Sequence, residues 1–375
     1  MMPFVTGALT GAAFGVVLYK VGASRYSRVM GMVTLRDTKI MKFAFTAIAT
    51  ASMLYGLAAV LGKAEAWNLM PRVMPFMGLA HLVGGVLFGA AMGVSGLCPG
   101  TCVAKAGGRG GDKKFAAPFA VVGLVAGVLA YALLKEPLTQ AGVIAAHQKP
   151  LTVYGMAGLP YGPLALAFGA LMLTIAIVAD RVMGEKSYAP AHQKTSLLDW
   201  MRGEWSWTAA GTIAGVLVVV ATAQGGYLGF SGALLAVVGW AAHLIGHPLD
   251  MVPTINDDII WRAALLIGVF PGGVLAKLFS MPSKAAVAHP VVKVLDVPML
   301  AKTFSATTVM SLGAMIGGGC TTGAFISGWS TLSVGSFAMG GTFFAAAIAM
   351  SQARVFVFRS LDLNKSQELG DRVYD

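Results

Sequence analysis

Two short glycine-rich segments carry the sulfur chemistry that this sequence offers. The first, residues 96–102, reads Gly-Leu-Cys-Pro-Gly-Thr-Cys and ends a long apolar run. The second, residues 317–323, reads Gly-Gly-Gly-Cys-Thr-Thr-Gly and also ends an apolar run. Glycine and proline interrupt the hydrogen-bond ladder of a helix, and hydrocarbon cannot satisfy the N–H and C=O groups that are freed. Each segment therefore predicts a broken membrane helix that lines a cavity enclosed by protein.

The residue types at the two breaks suit a small anion that contains sulfur. The segments behind them, 103–108 and 324–333, are long enough for half-helices, whose N-terminal N–H groups carry partial positive charge. Threonine hydroxyls add donors, glycines let a ligand approach the main chain, and thiols are weak donors and polarizable acceptors. The candidate binding residues are Cys98, Cys320, Gly96, Gly100, Thr101, Gly318, Gly319, Thr321, Thr322, Gly323 and Cys102.

These residues also have a plainer interpretation as packing residues. A buried cysteine in an apolar helix more often packs than binds a ligand, but two of the three cysteines lie at matched breaks, which favours a site. Cys102 could equally pack behind that site, because Cys-x3-Cys is one residue longer than the usual redox and zinc spacings. His81, His243 and His247 are expected to be core or interfacial residues. We predict no metal site and no cofactor.

The composition is that of a polytopic membrane protein. With 57% hydrophobic and 11% charged residues and a mean hydropathy of +0.74, the chain is not a soluble domain with a polar surface. A spanning helix needs about 20 mostly apolar residues. Nine runs qualify, and two further stretches, 21–33 and 225–247, could be re-entrant. The nine runs are 3–19, 41–61, 75–97, 115–134, 160–180, 206–223, 258–279, 302–319 and 334–353. The expected fold is all-α, with about nine transmembrane helices plus re-entrant half-helices.

Basic residues predict the orientation of these helices. The chain has 27 Lys and Arg against 16 acidic residues. The bases lie in short loops without interleaved aromatics, which indicates membrane topology and not nucleic-acid binding. If the N-terminus lies outside, the inner segments hold 22 of the 27 bases, as the concentration of Lys and Arg on cytoplasmic loops requires. These segments are 20–42, 105–114, 181–202, 277–302 and 354–372.

The same layout predicts the domain organisation. It requires 225–247 to return to the side it came from, and it makes the two breaks enter from opposite faces. The chain then divides into a first membrane repeat (1–180), a cytoplasmic connector (181–205), an inverted second repeat (206–353) and a cytoplasmic tail (354–375). Matched broken helices in two repeats usually place a substrate site near the middle of the membrane.

Two residue patterns predict how helices pack. An aromatic belt at the membrane interface is expected at Trp200, Trp205 and Trp207. A seam of close helix packing is expected at the four-residue spacing of Gly7, Gly11 and Gly15.

Longer stretches around the breaks resemble a known family. Residues 84–98, Gly-Gly-Val-Leu-Phe-Gly-Ala-Ala-Met-Gly-Val-Ser-Gly-Leu-Cys, with Pro-Gly-Thr behind them, are similar to the first signature of the YeeE/YedE family of sulfur-compound transporters. Residues 311–323, Ser-Leu-Gly-Ala-Met-Ile-Gly-Gly-Gly-Cys-Thr-Thr-Gly, resemble its second signature, together with Gly-Trp-Ser at 328–330 and Ser-Val-Gly-Ser at 333–336. The two motifs and the helix pattern between them cover nearly the whole chain.

The resemblance implies an inner-membrane protein with an hourglass interior that takes up thiosulfate. Family cysteines at the constriction would hand the ion inward through S–H contacts, and Cys98 and Cys320 match two of them. A further family cysteine would fall near Met30, where this chain has none. The resemblance also implies a small TusA-like sulfur-carrier protein as a partner.

Together with this resemblance, the sequence predicts a transporter, and not an enzyme, for thiosulfate or a related sulfur-containing anion. Two alternatives stay open at this point. One is a channel or transporter for a soft metal ion, with Cys98, Cys102 and Cys320 as thiolate ligands. The other is a membrane-bound sulfurtransferase in which Cys98 carries a persulfide.

Overall fold

The protein is almost entirely helical. The computed structural model describes residues 1–70, 72–108, 116–144, 150–183, 201–280 and 297–357. Within those ranges it contains thirteen α-helices, one π-helical segment and no β-strand, so the predicted all-α fold is confirmed. The predicted connector and tail lie mostly outside the described residues, and the domain limits stay predictions.

The bounds of the helices follow the apolar runs closely. In chain order they are α1 (Met2–Lys20), α2 (Tyr26–Val33), α3 (Lys39–Val60), α4 (Leu79–Ser95), α5 (Pro99–Gly108), α6 (Ala116–Gln140), α7 (Val153–Ala157), α8 (Tyr161–Met183), α9 (Trp207–Ala223), α10 (Phe230–Leu244), α11 (Asp257–Leu278), α12 (Val297–Ile316) and α13 (Val334–Phe356). The π-helical segment, Thr321–Ser327, lies between α12 and α13.

Eight segments of the described chain are long and apolar enough to cross a membrane, which makes this a multi-pass membrane protein. One of the eight combines α4 and α5, on the two sides of the first break. The remaining predicted run, 206–223, forms the 17-residue helix α9. At 1.5 Å per residue α9 is about 25 Å long, a little shorter than the roughly 30 Å hydrocarbon core of a bilayer.

The predicted glycine seam joins α1 to α11. Gly7 lies against the Trp261 carbonyl, and Gly11 and Gly15 lie against carbonyls one and two turns further along α11. A Cβ atom on any of the three would come within 2.5 Å of those oxygens, so the backbones touch. Because the contacts advance along both helices together, α1 and α11 run parallel.

Similar glycine contacts give the directions of the other long helices. α4 runs parallel to α13, α3 to α9 and α6 to α12, whereas α8 is antiparallel to α3 and α12 is antiparallel to α4. Lys20 at the end of α1 donates to the Arg202 carbonyl, and Lys39 at the start of α3 donates to Glu204, so α1 ends where α3 begins. We call the end of the molecule where α1, α4, α8, α11 and α13 begin the N-terminal face, and the opposite end the basic face.

The segment that joins α9 to α11 dips into the protein and returns. Gln224 accepts a hydrogen bond from Thr10 of α1, Phe230 at the start of α10 packs against Phe14, and Trp240 packs against Phe4. The chain therefore moves towards the middle of α1 and then back to its N-terminal end. Residues 225–247 return to the side they came from, as the topology required.

The other ambiguous stretch, 21–33, forms the short helix α2 on the basic face. Its Arg28 is fully buried and pairs with Asp37 at 2.7 Å and with Glu204 at 2.8 Å. Glu204 also binds Lys39 at 2.6 Å and Arg25 at 3.2 Å. This network ties α2 to α3 and to the segment before α9.

The prediction of an interfacial tryptophan belt is wrong for the two described tryptophans. Trp205 and Trp207 are 9% and 7% exposed. The Trp205 amide donates to the Lys20 carbonyl, and the Lys42 ammonium lies 5.6 Å from the centre of a Trp207 ring. Both side chains are covered because the segment before α9 folds over the ends of α1 and α3. Trp200 lies outside the described residues.

Candidate functional site

The first break starts on the basic face. α4 ends at Ser95, and Gly96 adopts φ +62°, a left-handed conformation that favours glycine. A Cβ atom there would lie 2.6 Å from the Tyr26 ring and 3.0 Å from the Met30 side chain, so α2 also leaves room for glycine only. The position near Met30, where the family resemblance places a further cysteine, therefore borders the break directly.

After Gly96 the chain rises to the middle of the protein and turns back. Gly100 packs against the Phe230 ring, which itself packs against Phe14 halfway along α1. α5 then returns to the basic face, where Gly108 contacts Tyr19. α5 begins at Pro99, and not at residue 103 as predicted, because proline at the first helical position needs no hydrogen-bond partner for its nitrogen.

Thr101 holds Cys98 in place at the start of α5. Its hydroxyl accepts a hydrogen bond from the Cys98 amide at 3.0 Å and donates to the Cys98 carbonyl at 2.9 Å. The Thr101 hydroxyl proton is therefore already donated to the Cys98 carbonyl, and the main role of Thr101 is to position Cys98.

The second break starts near the N-terminal face. α12 ends at Ile316, and Gly318 adopts φ +78°. A Cβ atom there would meet the methyl ends of Met77 at 2.5 Å and Met74 at 3.0 Å. Glycine therefore serves two purposes here. It can adopt the left-handed turn, and it leaves room for the two methionine side chains that pack over it.

The chain behind the second break dips inward and returns, as the first does from the other side. Phe325 packs against Phe343 and Phe344 in the middle of α13. The Ser333 hydroxyl then donates to the Met74 carbonyl at 2.7 Å, back on the N-terminal face. The half-helix is the π-helical segment Thr321–Ser327, and not 324–333 as predicted. The two breaks enter from opposite faces, as the topology required.

The two breaks meet at their cysteines. The Cys98 thiol lies close enough to interact with the Thr101 and Thr321 hydroxyls and with Cys320. All three cysteines are free thiols; Cys320 and Cys102 are buried and Cys98 is partly exposed. Cys102 follows one turn behind, where its amide donates to the Cys98 carbonyl at 2.9 Å.

The glycines at the meeting point pack tightly against protein. A Cβ atom would lie 2.2 Å from the Phe230 ring at Gly100 and 2.6 Å from Ala324 at Gly319. Gly323 lies against Gly229, with an added Cβ 3.3 Å from its Cα. These glycines are therefore required first for close packing of the backbone. Ligand contact with their main-chain amides stays a prediction, and so does ligand contact with Thr322.

His81 of α4 supports the second break. The Met77 amide donates to its Nε2 at 3.0 Å, so the ring proton is on Nδ1, which donates to the Gly317 carbonyl at 2.9 Å. His81 is fully buried, which agrees with its expected place in the core. Its role as a link between α4 and the break depends on a contact across 236 residues, which the sequence does not indicate.

Tyr227, which sequence reasoning also missed, closes the other side of the second break. Its hydroxyl donates to the Gly323 carbonyl, and it lies near Cys320. Ser327 donates to the neighbouring Leu228 carbonyl at 2.6 Å. The segment before α10 is thereby bound to the π-helical segment. In the part of the chain that the structure describes, no three His, Cys, Asp or Glu side chains are grouped as metal ligands.

One known protein family matches this chain over most of its length. No curated protein matches the chain. The sequence model of the family described as Sulphur transport matches residues 25–349, a range that contains α2, both breaks and both cysteines that meet. That range is well over half of the 375 residues. The chain therefore belongs to the Sulphur transport (YeeE/YedE) family and is a membrane transporter of a sulfur compound.

Proposed function

We propose that this protein takes up thiosulfate or a related sulfur-containing anion through a narrow point formed by Cys98 and Cys320. The observation that carries the proposal is that these cysteines are neighbours although they lie on segments that enter from opposite faces. An ion between them could reach either face by the movement of one segment only. That arrangement is typical of a transport site at the middle of a membrane.

Contacts at this point would be numerous but weak. Thiol groups can donate to the ion's oxygens or to its terminal sulfur. Each such contact contributes on the order of a kcal/mol or less. An ion held this way can leave as readily as it enters, which conduction through successive sites requires. No covalent bond to cysteine is needed.

The charge distribution supports an inward direction of transport. Among the described residues the basic face holds most of the Lys and Arg, and the concentration of these residues on cytoplasmic loops supports an inner-membrane protein with this face in the cytoplasm. The ion would then enter from the N-terminal face. A small TusA-like carrier on the basic face is the partner that the family resemblance implies.

Uptake of labelled thiosulfate into proteoliposomes tests the proposal. Wild type should accumulate the label, and Cys98→Ala and Cys320→Ala should each reduce the initial rate at least tenfold. Cys102→Ala is the matched control, because this thiol interacts with Cys98 and Lys105 of its own segment, and it should lose much less. Competition by sulfate, sulfite and sulfide would identify the species carried. Full uptake by both Cys98→Ala and Cys320→Ala would refute the thiol site.

The two alternatives give different results in the same preparation. A persulfide on Cys98, detected by mass spectrometry of the resting protein, would indicate a sulfurtransferase. Metal that copurifies in proportion to protein and is lost in Cys98→Ala would indicate a soft-metal transporter. Neither signal is expected for thiosulfate uptake.

A further inference from the structure

Bases are scarce on the N-terminal face, yet two of them share one cavity. Among the described residues, the loops and helix ends on that face carry only Lys63, Arg72, Lys135 and Arg262. Arg72 and Arg262 both line a cavity of about 220 Å³. A water molecule takes about 30 Å³ of liquid volume, so the cavity has room for a tetrahedral oxyanion and several waters.

The cavity carries net positive charge. Arg262 is held by Asp258 of the same helix, with Nε–Oδ1 and Nη2–Oδ2 distances of 2.8 Å each. Arg72 is exposed, and among the described residues no carboxylate lies within ion-pair distance of it. Two guanidinium groups and one carboxylate leave one uncompensated positive charge. A guanidinium group also presents planar paired donors, which fit an oxyanion better than an ammonium group does.

Tyr227 joins this cavity to the cysteine site. The Arg72 guanidinium carbon lies 5.6 Å from the centre of the Tyr227 ring, and the Tyr227 hydroxyl reaches the Gly323 carbonyl beside Cys320. Burial raises the pKa of Tyr227, although the positive charge of Arg72 opposes the shift. The side chain is therefore a neutral phenol at neutral pH and does not cancel the charge of the arginines.

We propose that the cavity formed by Arg72, Tyr227 and Arg262 is a first binding site, where a sulfur oxyanion is captured before it reaches Cys98 and Cys320. Arg72 supplies the free positive charge, and Arg262 supplies a second guanidinium group. Tyr227 lies between the captured ion and the thiols. Asp258 limits the affinity, because it competes with the ion for Arg262. This proposal rests on the proposed function and adds to it a second, charged site.

Opposite effects of two substitutions test the site. Calorimetry at low salt would measure binding of thiosulfate and of sulfate to the purified full-length protein. Arg72→Gln should weaken binding about tenfold, because one charge-assisted contact to the ion is lost. Asp258→Asn should strengthen it several-fold, because it removes a negative charge and frees Arg262. Lys135→Gln, which removes an exposed base of α6 on the same face, is the matched control and should bind like wild type.

Damage to the fold could mimic the first effect but not the second. The site is refuted if Arg72→Gln binds like wild type, if Asp258→Asn binds more weakly, or if the wild-type protein binds neither anion. The wild-type affinity should also fall steeply as salt is raised, and less steeply in Arg72→Gln, because screening acts on the charge that the variant lacks.

Failure of this site is distinguishable from failure of the thiol site. The double variant Cys98→Ala/Cys320→Ala should keep wild-type anion binding in calorimetry and lose uptake in proteoliposomes. If that variant loses binding as well, the cavity is not a separate site. If it keeps uptake, the thiol site is wrong, and the cavity is still judged by Arg72→Gln and Asp258→Asn.

Discussion

His81 offers a direct test of how the second break is held. Its ring accepts a hydrogen bond from the Met77 amide at 3.0 Å and donates one to the Gly317 carbonyl at 2.9 Å. Among the described residues, no other side chain makes both of these hydrogen bonds. His81→Phe keeps an aromatic ring of similar size but leaves both backbone groups without a partner. A buried polar group left in that state costs about 1–3 kcal/mol, so the pair should cost about 2–6 kcal/mol.

In His81→Phe the second break should also shift from its wild-type position. The Gly317 carbonyl can recover a partner only by rotating its peptide, and Gly317 precedes the glycine pair that leads to Cys320. We therefore expect His81→Phe to lower the apparent Tm in detergent by several degrees. Thiosulfate uptake should fall at least tenfold, even when it is assayed well below that Tm.

The control is His247→Phe, because His247 is exposed beyond the end of α10. That variant should match wild type in both Tm and uptake. His81→Gln, which can still donate through its amide, should lie between wild type and His81→Phe. A His81→Phe protein with wild-type Tm and uptake would show that the two hydrogen bonds do not position the break.

Two more predictions concern the scaffold around the site. Gly11→Leu should prevent assembly of stable protein, because even a Cβ atom there lies 2.0 Å from the Leu265 carbonyl; Gly341→Ala in α13, where a Cβ meets nothing within 4 Å, should keep full yield by size-exclusion chromatography. Burial alone would raise the pKa of Glu204, but its cationic neighbours bring the pKa below the ordinary value. Its stabilisation is therefore present above the ordinary pKa of about 4.3 and is lost as pH falls through the lower folded value. Glu204→Gln should lower Tm at pH 7 by leaving Arg28 with fewer carboxylates, and the difference from wild type should shrink towards pH 3.

The positions of the breaks could be predicted from sequence because their causes are local. Glycine and proline are clustered at residues 96–100, three glycines follow one another at 317–319, and the long uncharged runs before them mark the helices that are interrupted there. Because glycine, cysteine and threonine lie at a helix break in both halves, the sequence also predicted a shared site, and the Cys98 thiol lies near Thr321 and interacts with Cys320. The charge asymmetry predicted that the two segments enter from opposite faces.

What the sequence could not predict depends on contacts between distant segments. The hydrogen bond from His81 to Gly317 and the shared cavity of Arg72 and Arg262 join residues that no local pattern relates. One error was avoidable, since proline is common at the first helical position and Pro99 could have marked the start of α5. The burial of Trp205 was not predictable, because it follows from the way one loop folds over two helix ends.

Under the two proposals above, the charged arginine cavity is separate from the thiol site, and this separation has a physical reason. A divalent anion in a cavity of low dielectric would be held tightly by two free guanidinium groups, because Coulomb interactions grow as water is excluded. A site of that kind would capture the ion and not release it. The capture cavity therefore stays open to water through the exposed Arg72 and carries Asp258 as a competitor for Arg262. The inner site omits formal charge altogether, since thiols and hydroxyls give an ion contacts that it can exchange one at a time. A transporter built this way should lose selectivity and speed together if a fixed positive charge is moved inward, so Thr321→Lys should bind anions more tightly than wild type and transport them more slowly.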